Sequence, residues 1–139
     1  MTRLFPAILI LILLSISCET SKNGIDKIPD GVYTGTFQRQ LAFGGGDTSN
    51  VILTFSSNNW IGQSDKPSFP ALCNGTYRIE KDKITFLNLC LWAPDLNESI
   101  ILSGEFDLNI NGKQIEIIRS SLGSSTDAWI DKYTLTKKE

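Results

Sequence analysis

Five carboxylates, Asp95, Glu98, Glu105, Asp107 and Glu116, are the side chains best placed for acid–base work in this chain. A pair of them flanking a sugar linkage could hydrolyse a glycoside. Counting back from the turn dipeptide Asn111-Gly112 puts Asp107 opposite Glu116 on adjacent strands. Mutual repulsion there would raise one pKa. That pair falls on an outward face, where two solvated acids are the simpler expectation. The chain contains no histidine, which removes the commonest general base and the commonest metal ligand together. Its serines lack both a histidine partner and a Gly-x-Ser-x-Gly elbow. Gly44-Gly45-Gly46 leads into Asp47-Thr48 rather than Gly-Lys-Ser/Thr, so it predicts a mobile loop at a barrel mouth and not a phosphate cradle. No catalytic residue, metal or cofactor is expected.

The three cysteines carry the remaining chemistry. Cys18 follows Met-Thr-Arg, an apolar run from Leu4 to Ile16, and Ser17. That run is short of the roughly twenty residues a bilayer-spanning helix needs. It resembles the bacterial lipoprotein signal, whose cleavage leaves an N-terminal, lipid-bearing cysteine. Residues 1–17 are then the signal peptide, Cys18 the lipid-attachment site, and the protein a palmitate-type lipoprotein of the bacterial cell envelope. Its first partner is the membrane. Residues 18–29, polar and broken by Gly24 and Pro29, read as the lipidated cysteine and a flexible tether. With Cys18 occupied by lipid, Cys73 and Cys90 remain as an even pair in an oxidising compartment.

Removing the signal removes Arg3, leaving 12 basic against 15 acidic side chains and a net charge of −3. Scattered lysines and a net negative charge exclude the clustered basic face that nucleic acid requires. A zinc site lacks ligands when two cysteines stand without histidine. What remains is the size of one ordinary domain, residues 30–139.

The elements that must position these residues are strands. Short β-branched and aromatic runs alternate with turn residues, without sustained helical periodicity. Strands are predicted at Val32–Arg39, Val51–Ser56, Trp60–Ser64, Leu72–Glu80, Lys83–Cys90, Ser99–Asn109, Lys113–Ser120 and Ala128–Lys137. Connections this short exclude parallel crossovers. The expectation is an all-β, antiparallel, eight-stranded up-and-down barrel, which closes its edges. Two hairpins can be registered. A Lys81-Asp82 turn sets Glu80 opposite Lys83, Ile79 opposite Ile84, Tyr77 opposite Phe86 and Cys73 opposite Cys90, the cysteines about 4.5 Å apart at Cα and able to form a disulfide. A type I′ turn at Asn111-Gly112 sets Leu108 opposite Ile115, Phe106 opposite Ile117 and Glu105 opposite Ile118. Gly35, inside the first strand, predicts a bend or a close backbone approach.

The opening Gly31-x-Tyr33-x-Gly35-x-Phe37, the antiparallel hairpins and the closing Tyr133-Thr134-Leu135 resemble the small lipocalin-like, calycin-type barrels among bacterial lipoproteins. The resemblance covers residues 31–137. Lipocalins open with Gly-x-Trp, the tryptophan packing beneath the barrel against a late arginine. Tyr33 stands in the tryptophan place here, with Arg119 as the counterpart. The family implies a barrel able to hold an apolar small molecule.

Tyr33, Phe37, Phe55, Tyr77, Phe86 and Tyr133, with Phe106, alternate onto the inward faces. They would line an apolar or amphipathic ligand site or else form an ordinary filled core. Trp60 and Trp92 sit beside turn-like segments, where each either anchors a partner, a sugar or a membrane interface or caps a barrel end. Two non-catalytic functions follow: binding a small apolar ligand, or a protein-interaction or inhibitor module acting through exposed loops over a filled core.

Overall fold

The structure, a computed structural model, describes residues 24–122 and 127–139. The predicted signal of residues 1–17, the predicted lipid-attachment site Cys18 and the first part of the predicted tether lie outside the described residues. Eight antiparallel strands close into an up-and-down barrel: β1 (Gly31–Leu41), β2 (Gly46–Ser56), β3 (Asn59–Ser64), β4 (Asn74–Glu80), β5 (Lys83–Asn88), β6 (Gly104–Asn111), β7 (Gln114–Ser121) and β8 (Trp129–Lys137). β1 pairs with both β2 and β8, so no edge is left open. The predicted fold is the observed one.

Closure around β1 depends on Gly35. A Cβ there would lie 1.8 Å from the carbonyl oxygen of Thr134 on β8. The close approach predicted from glycine in a strand is where the barrel shuts.

The first hairpin has the expected register, Glu80 opposite Lys83 through Tyr77 opposite Phe86. Its ladder ends at Gly75 and Asn88, and the cysteines lie two residues beyond it on the same diagonal. Cys73 and Cys90 form a disulfide with a Cα separation of 6.3 Å. The spacing exceeds the expected 4.5 Å because the chains diverge past the last paired residues, yet it stays within disulfide reach.

The second hairpin corrects its prediction. Asn111 faces Gln114, Ile110 faces Ile115, Leu108 faces Ile117 and Asp107 faces Ile118. The turn is therefore centred on Gly112-Lys113, one residue later than predicted. Of the turn residues only Gly112 takes positive φ, 61°. A type I′ turn needs two such residues; glycine alone at the first central position suits the II′ pattern. The register moves by two residues, so every side chain keeps its face. On the β7 side Phe106 lies just beyond the last registered pair, Asp107 with Ile118, and on its other side it faces Ile84 of β5.

Three further elements differ from expectation. The strand predicted to start at Ser99 does not: Glu98–Ile100 is a short 3-10 turn, and β6 begins at Gly104. Gly44 and Gly45 sit in the tight β1–β2 hairpin turn with φ of 87° and 82°, while Gly46 opens β2. Ile28, predicted to belong to a flexible tether, is fully buried.

The two barrel ends are unlike. At one end lie the tight turns β2–β3, β4–β5 and β6–β7 together with both described termini. Ile28 plugs it: the Ile28 amide donates to the Tyr77 hydroxyl at 3.1 Å, which donates to Ser57 O at 2.8 Å. The Tyr33 hydroxyl donates to Pro29 O at 2.8 Å. The opposite end carries the β1–β2 hairpin and the three longer connections. There the β3–β4 and β5–β6 segments meet across an Ala71–Ile101 bridge, burying Ala71, Ile100 and Leu102 over the barrel mouth.

Candidate functional site

Inward-facing residues make one chain of rings in edge-to-face and tilted contact. Tyr33 meets Phe55, Phe55 meets Tyr77, and Tyr77 meets Phe86, with centroids 5.4, 5.4 and 6.2 Å apart. The chain continues through Phe106 and Tyr133 to Phe37 and Phe69, at 5.7, 6.3, 4.8 and 5.3 Å. All six residues expected to line a ligand are buried within it. The hydroxyls of Tyr33 and Tyr77, at the end of tight turns, are satisfied by backbone carbonyls. The main concavities lie on the loops and outer wall, and Tyr33, Phe37, Phe55, Phe86 and Tyr133 line none of them.

Burial sets the acidity of these phenols. Tyr33 and Tyr77 are raised above the ordinary value of 10.0, first by desolvation and then by neighbouring negative groups. Tyr133, wholly enclosed and near Asp131, is raised furthest.

Trp60 departs from its sequence reading. It lies on β3 pointing inward, 1 % exposed, its ring 5.7 Å from Phe86. It is core and offers no loop contact, because the β2–β3 turn is only Ser57-Asn58 and the strand resumes before the tryptophan. Nor does Tyr33 meet Arg119. Tyr33 pairs with Lys137 near one end of β8, whereas Arg119 pairs with Asp131 toward the other. The carboxylate pair is also dispersed: Asp107 is ion-paired to Lys83, and Glu116 to Lys132 at 2.6 Å. In the observed register, Glu116 faces Asn109.

A buried charge cluster, absent from the sequence reading, holds the loop end. Arg39 on β1 and Asp131 on β8 are directly opposed. Arg39 Nε and Nη2 donate to the two Asp131 oxygens at 2.6 and 2.7 Å. Arg39 Nη1 reaches Ser99 Oγ at 2.9 Å, and Nη2 reaches Ser99 O at 2.8 Å. Arg119 donates to Ser103 O at 2.8 Å and to the same Ser99 O at 2.7 Å. Both guanidinium groups stack on Trp129, at 4.2 and 5.2 Å. Together they bind the β5–β6 segment to the barrel rim. The signal was present in the parity of the strands: Arg39 continues the inward series Tyr33, Gly35, Phe37, and Asp131 sits between Trp129 and Tyr133.

The segment so fixed forms the largest feature of the loop end. A concavity of about 490 Å³ is bordered by Leu91, Trp92, Leu96, Glu98, Ile101 and Ser103. A second, of about 280 Å³, is bordered by Ser68, Trp92, Ala93, Asp95 and Leu96. Trp92, half-buried against the core, belongs to both. Its indole N–H donates to Asn88 Oδ1 at 3.2 Å, which also accepts from Cys90 N at 2.9 Å. Apolar exposure is concentrated at the same end, with Leu91 fully exposed and Phe43 and Leu122 each about four-fifths exposed. Of the two tryptophans expected at loops, Trp92 is placed there.

Fold and loop end together define a closed, eight-stranded up-and-down barrel with one elaborated end. No protein-family model, curated protein or solved structure matches the chain.

Proposed function

We propose that this protein is a non-catalytic binding module of the bacterial cell envelope, lipid-anchored through Cys18, which meets its partner through the loop end. The barrel is a scaffold. The observation that carries this reading is the continuous chain of ring contacts from Tyr33 to Phe69, which occupies the place a lipocalin-type ligand would take. The unlike ends support it. The chain enters at the end of tight turns, ten residues after Cys18, a span of at most about 35 Å when extended. An anchored molecule would thus hold its turns toward the membrane and its longer loops outward. The absence of histidine and the separate ion pairing of Asp107 and Glu116 support binding rather than hydrolysis. Kinship with the lipocalin-like lipoproteins is part of the same proposal and is supported by the strand order.

Two measurements test it. Cys18→Ser should move the protein from the membrane to the soluble fraction; retention in the membrane defeats the anchor. Native mass spectrometry with added fatty acids should return the bare mass, whereas a stoichiometric adduct lost on denaturation would refute a filled barrel.

A further inference from the structure

We propose that the β5–β6 segment binds a neutral saccharide, with Trp92 as the stacking platform between two adjoining sugar subsites. The inference rests on the loop end being the binding face and names what that face takes. A sugar ring has C–H bonds over one face and hydroxyls around its edge. It therefore needs a flat apolar surface flanked by groups able to accept and donate hydrogen bonds.

Each concavity bordering Trp92 supplies that combination. The larger offers the indole with Leu91 and Leu96, the Glu98 carboxylate and the Ser103 hydroxyl. The smaller offers the indole with Ala93 and Leu96, the Asp95 carboxylate and the Ser68 hydroxyl. Among the described residues, neither carboxylate is in an ion pair, so their acceptor capacity is unspent. No lysine or arginine borders either concavity, which disfavours phosphates and other anions. Both hollows are open and partly polar, unlike the enclosed apolar site a lipid chain requires. A concavity of about 490 Å³ is within the range of small-molecule sites.

The site is also held in shape before any ligand arrives. Asn88 Oδ1 fixes the Trp92 indole through its N–H, leaving the ring face free of that bond. The disulfide pins Cys90 two residues earlier, and Arg39 and Arg119 pin Ser99 on the far side. A preorganised loop loses little conformational freedom on binding, which is what a weakly interacting neutral ligand needs.

The test is calorimetric titration of the full-length protein in detergent with soluble tetrasaccharides of glucose, mannose, galactose and N-acetylglucosamine. One of the four should bind saturably. Trp92→Ala should weaken it by about tenfold or more, Glu98→Gln and Asp95→Asn each by a smaller factor, and Phe43→Ala should leave it unchanged. If Trp92→Ala fails to fold, Trp92→Phe should retain most of the affinity while Glu98→Gln still weakens binding by that smaller factor. Binding that survives Trp92→Ala and Glu98→Gln but is lost in Phe43→Ala overturns this site and keeps the loop end as the binding face. No saccharide binding, with the bare mass retained against fatty acids, overturns the saccharide inference alone. No saccharide binding together with a fatty-acid adduct overturns the filled-barrel reading as well.

Discussion

Replacing Asp131 by asparagine keeps the shape of the side chain and removes its charge. Arg39, whose side chain is 10 % exposed, then loses its bidentate partner, and Arg119, 3.6 Å from Asp131 Oδ2, loses the nearest anion. Breaking a buried ion pair from one side costs about 3–5 kcal/mol, because a desolvated charge is left uncompensated. Arg39 would still donate to Ser99 and stack on Trp129, which puts the expectation at the lower end, about 3 kcal/mol. With a urea m-value of about 1–3 kcal/mol/M, the unfolding midpoint should fall by about 1–3 M at unchanged slope. Salt should alter the difference little, since the pair is enclosed. The double variant Arg39→Met, Asp131→Leu removes both charges together and should be markedly more stable than Asp131→Asn. A loss under about 1 kcal/mol in Asp131→Asn, or a double variant no better than the single, would refute the claim that a desolvated charge is what destabilises it.

Non-reducing peptide mapping should show Cys73 linked to Cys90, and Cys73→Ser with Cys90→Ser should lower stability by about 3 kcal/mol for a loop with a separation of 17 residues. Free thiols at both positions would contradict the hairpin. The tyrosines make the fold lose stability in alkali. Tyr33, Tyr77 and Tyr133 hold their protons more tightly folded than unfolded, so the stabilisation they provide is complete below about pH 10 and declines as the pH rises beyond it. Absorbance at the phenolate band and urea midpoints followed upward from pH 8 check this together; normal titration near pH 10 by a still-folded protein would overturn it. Gly35→Ala has no room for its Cβ beside Thr134 O and should destabilise by upwards of about 3 kcal/mol, or prevent folding. A crystallisable Gly35→Ala with native stability would show that β1 and β8 separate easily.

The loop end was only partly legible. Cys73–Cys90 could be placed because it lies on a hairpin, where local counting reaches both partners. Trp92 could be flagged because Pro94 and Asp95 mark a loop. Trp60 was misplaced, since a two-residue turn next to it looks in sequence like a longer one. Asp107 and Glu116 were paired by counting from the wrong turn centre. Tyr33 and Arg119 were joined through a family pattern, although their strands put them at opposite ends of β8.

Alternation of apolar and polar residues, punctuated by turn residues, determined on its own that the chain is an antiparallel eight-stranded barrel and which side chains point inward. That information is local, because the side-chain period of a strand is two residues and survives even a two-residue slip in register. Closure decided the rest. Arg39 and Asp131 are 92 residues apart, and only the β1–β8 ladder makes them neighbours. Whether inward rings stack or line a cavity depends on barrel diameter and on the segments covering each end. The β3–β4 and β5–β6 segments close one and Ile28 the other, through contacts that exist only once all eight strands have met.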